Sequence, residues 1–237
     1  MIQIDEKIVV EALKQVKEIL DEHGINVWLC TGSLLGAKRD GKIIPWDHDV
    51  DLATWYENSS QIIPIFDEFR KLGFEIYFFE SQSCIKILKK NCEIEISLYQ
   101  QKDDDATMPC HVQNKLGQIL DYLLWALSIQ NASLKKSKIP LFMTSILIKI
   151  TKKTSENLRK NLITIITKLY QKIGHKIIYV AVPSHFFKNL SSLDFYGMNF
   201  KVPKETEKYL EYVYGTDWRI PKRDYYWERD DQSLVRD

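Results

Sequence analysis

The sequence predicts an α+β fold, a sheet covered by helices on one face, with a basic helical segment set into its later half. Three observations predict it. An amphipathic helical stretch opens the chain, short β-prone runs follow it with two further helices between them, and from Asn114 to about Lys176 the pattern turns helical, strand-free and basic. A chain of 237 residues suffices for one large domain, or one domain with a helical appendage, and 45% apolar content supports a proper core. We read residues 1–113 as a catalytic core, 114–176 as a helical insertion or cap, and 177–237 as the part that completes the first domain.

Residues 6–22 carry Ile8, Val9, Ala12, Leu13, Val16, Ile19 and Leu20 at helical spacing, closed by His23-Gly24. A short strand over 26–30 should follow. Thr31-Gly32-Ser33 then turns the chain into a brief helix through Lys38, Asp40-Gly41 marks a turn, and residues 49–54 read as a second strand. The spacing predicts a helix over 59–72 closed by Gly73, then strands over 74–79, 84–88 and 92–98, the last two separated by Lys89-Lys90-Asn91. After the insertion, with Leu116, Ile119, Leu120, Leu123, Leu124 and Leu127 on one periodic face, sheet returns at 177–180. Residues 195–203 resemble a hairpin, and 204–214 a last helix stopped by Gly215.

The formal charge of +1 argues against a generally nucleic-acid-coating surface, yet eleven Lys or Arg stand against the single acid Glu156 between Lys135 and Lys176. That stretch lacks the interleaved aromatics that stack bases, so no nucleic-acid partner is expected. Its apolar residues Leu141, Phe142, Ile146, Leu147 and Ile148 beside Lys149, Lys152 and Lys153 suit either peripheral contact with an anionic membrane through 135–176 or a cap with lysines in water. The longest apolar run, 139–148, is about half the ~20 residues a spanning helix needs. Cys30, Cys84, Cys92 and Cys110 form no Cys-x-x-Cys pair and the N-terminus has no secretion-signal layout, so a cytoplasmic protein is expected, reaching at most the inner face of the membrane.

The chemistry concentrates in Gly32-Ser33-Leu34-Leu35-Gly36-Ala37-Lys38-Arg39 and Ile44-Pro45-Trp46-Asp47-His48-Asp49-Val50-Asp51-Leu52. In an extended segment Asp47, Asp49 and Asp51 project from one side, and three like charges so close call for a hard divalent cation or for solvent. An EF-hand is excluded: its sixth and twelfth positions are Leu52 and Asn58 rather than Gly and Glu. Glu95, between Ile94 and Ile96 on a predicted strand, is the best third ligand, with Glu93 of the same parity behind it. The Gly32-Ser33 turn offers backbone N–H groups to a phosphate, and Lys38 or Arg39 a side-chain cation.

Together with Glu93-Ile94-Glu95-Ile96, those two blocks resemble the LicD family, relatives of fukutin and fukutin-related protein within the nucleotidyltransferase-fold superfamily that includes DNA polymerase beta. The resemblance extends to Phe195-Tyr196-Gly197, Phe200, Val202-Pro203, Tyr209-Leu210, Tyr214-Gly215 and Pro221. It implies a polymerase-beta-type mixed sheet flanked by helices. It implies also a metal-dependent transfer of a phospho-alcohol, such as phosphocholine or ribitol phosphate, from a CDP-linked donor to a hydroxyl of a glycan or lipid-linked glycan, releasing CMP. By position Asp49 and Asp51 match the family's metal pair, Glu95 falls where it usually has Asp, Gly32-Ser33 matches the donor turn, and His48 stands where many members have another Asp. The implied ion is magnesium or manganese on Asp49, Asp51 and Glu95, and Asp47 or Glu95 takes the hydroxyl proton. The same parts would serve transfer of NMP from an NTP to a small acceptor or protein, and a non-catalytic scaffold binding nucleotide or glycan is the remaining alternative.

Overall fold

The structure is a computed structural model that describes residues 6–47, 49–79, 83–113, 115–128 and 155–235. His48 and the apolar-basic run 135–154, the first part of the expected membrane-contact segment 135–176, lie outside the described residues. The chain divides into two compact units, one of residues 1–110 with 178–237, the other of 111–177.

The first unit opens with α1 (Glu6–Glu22), which buries Val9, Ala12, Leu13, Val16, Ile19 and Leu20, the stripe that its periodicity predicts. β1 (Trp28–Leu29) is shorter than the expected strand because the chain enters α2 (Thr31–Arg39) at once. β2 (Val50–Trp55) follows. The single helix expected over 59–72 is instead α3 (Ser59–Ile62), a tight 3₁₀ turn over Ile63–Ile65, and α4 (Phe66–Lys71). Pro64 explains the break, since it lacks the N–H that a continuous helix needs there. β3 (Glu75–Phe79), β4 (Cys84–Lys89), β5 (Cys92–Lys102) and β6 (Asp105–Gln113) come next. β6 was not legible in the sequence, as Pro109 and its polar residues argue against a strand by composition.

In the second unit α5 (Lys115–Ser128) buries Leu120, Leu124 and Leu127 and packs on α6 (Glu156–Leu169). The Ser155 hydroxyl caps α6 by accepting from the Leu158 N–H at 3.4 Å. Leu158, Ile165 and Leu169 of α6 are exposed. No helix among the described residues is long and apolar enough to cross a membrane.

The chain closes with β7 (His175–Pro183), α7 (His185–Lys188), β8 (Leu190–Phe195), β9 (Met198–Pro203), α8 (Thr206–Tyr214), α9 (Trp227–Asp230) and β10 (Leu234–Val235). The β8–β9 hairpin turns on Tyr196 and Gly197, both at positive φ, as a two-residue turn matched to strand twist requires. The strands form one mixed sheet in the order β10-β7-β6-β5-β2-β1-β9-β8, with β4 also on β5 and β3 beyond it. β2 runs parallel to β5 and β1 parallel to β9, while β4 is antiparallel to β5. On the covered side Trp28 meets Phe187 at 4.9 Å and Trp55 at 5.8 Å between ring centroids, within a core shared by α1, the strands and α8.

One glycine sets the path from α2 to β2. A Cβ on Gly36 would lie 2.6 Å from the Lys42 carbonyl oxygen and 3.1 Å from Ile44 Cγ1, while the Gly36 carbonyl accepts from the Asp40 N–H at 2.9 Å and the Lys42 N–H at 3.4 Å. The loop that carries the acids is thus pressed against the helix by backbone. Because backbone cannot swing aside, Gly36→Ala should destabilise the fold by about 1–3 kcal/mol, read as a lower denaturant midpoint at unchanged slope.

Candidate active site

Register builds the site. Asp51 on β2 lies opposite Glu95 on β5, and Glu95 lies opposite Lys86 on β4, so three charged residues form one row across three strands. Their neighbours Val50, Leu52, Ile94, Ile96, Ile85 and Ile87 are fully buried, and alternation places the charged row on the other face. Asp49 and Glu93 sit one pleat earlier with the same parity. One oxygen each from Asp47, Asp49 and Asp51 lie within 4.8 Å of one another, and one each from Asp49, Glu93 and Glu95 do the same. Asp51 and Glu95, expected together with Asp49 about one ion, thus belong to two triads that share Asp49, and Glu93 joins as fully as Glu95.

The start of α2 faces these acids. The Ser33 N–H donates to Asp51 Oδ2 at 3.2 Å, and the Asp51 N–H donates to Ser33 Oγ at 2.8 Å. The Ser33 amide, which the sequence assigns to a substrate phosphate, is engaged by the protein's own carboxylate. Gly32 is required by close approach: a Cβ there would stand 2.4 Å from Asp47 Oδ2 and 3.0 Å from Asp51 Oδ2. Thr31 before it adopts φ +38°, a strained conformation for a β-branched residue, and its N–H points to the Tyr209 hydroxyl at 3.5 Å.

Burial, followed by the charges of Asp49 and Asp47, pushes the Asp51 carboxyl well above the usual carboxylate range, although a hydrogen bond from Thr31 pulls the other way. A hard cation among these oxygens would remove that penalty, so the donor set of five carboxylates fits magnesium or manganese. On the opposite side Lys86 Nζ stands 3.0 Å from Glu93 Oε1 and 3.1 Å from Glu95 Oε2. Glu95 first, and Glu93 after it, hold that ammonium well above its ordinary range against the effect of burial. The thiols of Cys30 and Cys84 are pushed up by burial, and that of Cys110 to about 12, which marks them as inert core groups.

Lys38 and Arg39 are not brought to the carboxylates. They end α2, about 7.5 and about 9 Å along the axis from Ser33 at 1.5 Å per residue. There Lys38 pairs with Glu207 at 3.2 Å, and Arg39, its side chain 7% exposed, grips Asp40 at 2.7 Å. The basic residue that does reach the acids is Lys86, which sequence reasoning missed; its place between Ile85 and Ile87, the pattern also seen around Glu95, was the available signal. Arg223 lays its guanidinium over Trp46, 5.1 Å from the ring centroid, and brings the C-terminal segment to the rim beside Asp47.

A family model described as LicD/FKTN/FKRP, nucleotidyltransferase domain, matches residues 24–118. That range contains all five carboxylates, the Gly32-Ser33 turn and Lys86. Over 82 residues the chain is 32% identical to an uncharacterized protein of Rickettsia prowazekii, covering 35% of this chain and 30% of that protein. Over 48 residues it is 50% identical to ribitol 5-phosphate transferase FKRP of Homo sapiens, covering 20% of this chain and 10% of that one. The match therefore spans about a third and about a tenth of these relatives' own lengths. The solved antibiotic-resistance factor ANT(2'')-Ia aligns over 70% of this chain and 95% of its own at 13% identity and a TM-score of 0.35.

Two outcomes follow from the crowding at Gly32 and Asp51. A carboxyl raised in the folded state lends stability that is complete below its unfolded value of about 4 and lost as pH rises through the folded value. In chelator at neutral pH, Asp51→Asn should therefore unfold at higher temperature than the wild type, the gap closing toward acid; magnesium should raise the wild-type midpoint and not the variant's. Gly32→Ala clashes chiefly with the Asp47 carboxylate tip, which can swing away, so it should leave the melting temperature nearly unchanged while weakening magnesium binding about tenfold or more by calorimetry.

Proposed function

We propose that this chain, whose residues 24–118 match the LicD/FKTN/FKRP nucleotidyltransferase-domain model, is a metal-dependent transferase of that family moving a phospho-alcohol, ribitol phosphate, phosphocholine or a similar group, from a CDP-linked donor to a glycan hydroxyl with release of CMP. The observation that carries this reading is the convergence of Asp47, Asp49 and Asp51 oxygens, within 4.8 Å of one another, against the start of α2 inside the matched domain. The similarity to FKRP, a ribitol 5-phosphate transferase, supports the choice of a phospho-alcohol over other phosphoryl groups.

Asp47, Asp49 and Asp51, with Glu95 across the shared Asp49, would hold magnesium or manganese. Such an ion, when bound, polarises phosphoryl oxygens and offsets the charge that develops on the departing CMP. The chain's own residues do the rest. The reciprocal Ser33–Asp51 hydrogen bonds fix the Asp51 carboxylate before substrate arrives, so no reorganisation is needed during reaction. Gly32, lacking a Cβ, lets the Asp47 and Asp51 carboxylates close on the start of α2. The acceptor oxygen attacks the distal phosphorus, the bond from that phosphorus to the CMP oxygen breaks, and the hydroxyl proton passes to Asp47 or Glu95. Lys38 and Arg39, held by Glu207 and Asp40, have no part in this reading.

The full chain, incubated with magnesium and separately with CDP-ribitol, CDP-choline, CDP-glycerol and the four NTPs, should release CMP from a CDP-alcohol and no pyrophosphate from any NTP. Asp49→Ala and Asp51→Ala should each lower that release by at least about 10²-fold while the circular dichroism spectrum stays that of the wild type. Pyrophosphate without CMP would instead establish NMP transfer, and neither product a binding scaffold.

A further inference from the structure

Two helices of the same amphipathic kind end differently. α1 buries its whole apolar stripe, whereas α6 buries none of its residues. Leu158, Ile165 and Leu169 recur at intervals of seven and four and so share one face of α6, with Leu162 half-buried between them. They are 53%, 61% and 41% exposed, although Leu and Ile at that spacing ordinarily mark the side of a helix that packs. Ile163 and Ile166, on the neighbouring side, are half-buried, so the packing of α6 on α5 uses that side and leaves the stripe uncovered. α5 itself exposes Leu116 and Ile119.

Cations edge the stripe. Lys168 and Lys172, both exposed, border it on the side away from Ile163 and Ile166, while Lys160 pairs with Glu156 at 2.9 Å on the opposite, solvated side. The asymmetry runs through the whole unit: residues 111–177 carry twelve Lys or Arg against Asp121 and Glu156 alone, in a chain whose total is only +1. An apolar strip edged by ammonium groups matches the boundary layer of a bilayer with anionic headgroups, where aliphatic side chains enter the acyl region and lysines stay at the phosphates. A second copy of the chain fits this face poorly. In a symmetric dimer the patch would meet itself and press two strongly basic units together. Nucleic acid fits no better, because an aliphatic stripe offers no ring on which a base can stack.

We propose that α6, with the lysines at its C-terminal end, is a peripheral membrane-binding face for a bilayer surface rich in anionic phospholipid. Leu158, Ile165 and Leu169 enter the acyl boundary, and Lys168 and Lys172 meet headgroup phosphates. This goes beyond the transferase reading and does not depend on it, since the contact needs neither a metal ion nor a donor.

The test is co-sedimentation of the metal-free full chain with vesicles of phosphatidylcholine, alone or with about one third phosphatidylglycerol. The wild type should bind the anionic vesicles, leave the neutral ones, and be released as salt rises from about 0.1 M to about 0.5 M. Lys168→Gln with Lys172→Gln, and separately Ile165→Glu, should each weaken binding about tenfold or more at an unchanged circular dichroism spectrum. Lys14→Gln with Lys71→Gln, which takes the same charge from exposed positions of the first unit, should not. No binding to anionic vesicles, equal binding to neutral ones, or an equal loss in the Lys14 and Lys71 control would overturn the proposal. Two other occupants of the face would do the same. A wild type that sediments as a dimer without lipid and becomes monomeric with Ile165→Glu would assign it to a second copy. A lower melting temperature for Ile165→Glu with vesicle binding intact would assign it to residues 129–154 of the same chain. CMP release is measured separately, so this proposal and the transferase reading can each fail alone.

Discussion

Two hydrogen bonds between Ser33 and Asp51 tie the first turn of α2 to the edge of β2, and the arrangement of the site depends on them. They place a carboxylate where helix N–H groups and the positive end of the helix dipole favour negative charge. That carboxylate is nevertheless buried among others, and burial with Asp49 and Asp47 works against its ionisation. The Ser33 contacts therefore hold in register a group that the surroundings disfavour. A cation beside such a group would relieve that penalty, which is the physical basis of the proposed metal site.

The same tension explains the unusual backbone nearby. Thr31 at φ +38° and Gly32 with carboxylate oxygens in its Cβ position both arise because α2 must begin within contact distance of the acids. Gly36 performs a related service further along, where the Lys42 carbonyl packs on the helix and returns the chain toward β2. Strain and close approach meet at this junction, as expected where a scaffold is bent to serve a site.

On the far side of the cluster Lys86 stands between Glu93 and Glu95, so the protein neutralises part of its own acidic surface with a side chain. The basic residues that lie nearest in sequence, Lys38 and Arg39, are instead taken by Glu207 and Asp40 at the other end of α2.

The sequence by itself determined the α1 stripe, the order of strands from β2 to β5, the turn and second strand of the β8–β9 hairpin and the parity that sets Asp49, Asp51, Glu93 and Glu95 on one kind of face, because helix and strand periods are local properties of the chain. The glycines of the α2 turn were legible for a similar local reason. Only the tertiary structure decided which strands are neighbours. Parallel pairing of β2 with β5 set Glu95 beside Asp51, and antiparallel pairing of β4 with β5 set Lys86 against both glutamates. Pairing between segments distant in sequence depends on the packing of the whole core, and a charge partner supplied from the adjoining strand leaves no mark on its neighbours in the chain. β6 escaped sequence reading for the same reason, since its polar, proline-containing residues become a strand through their partners rather than through their own propensity.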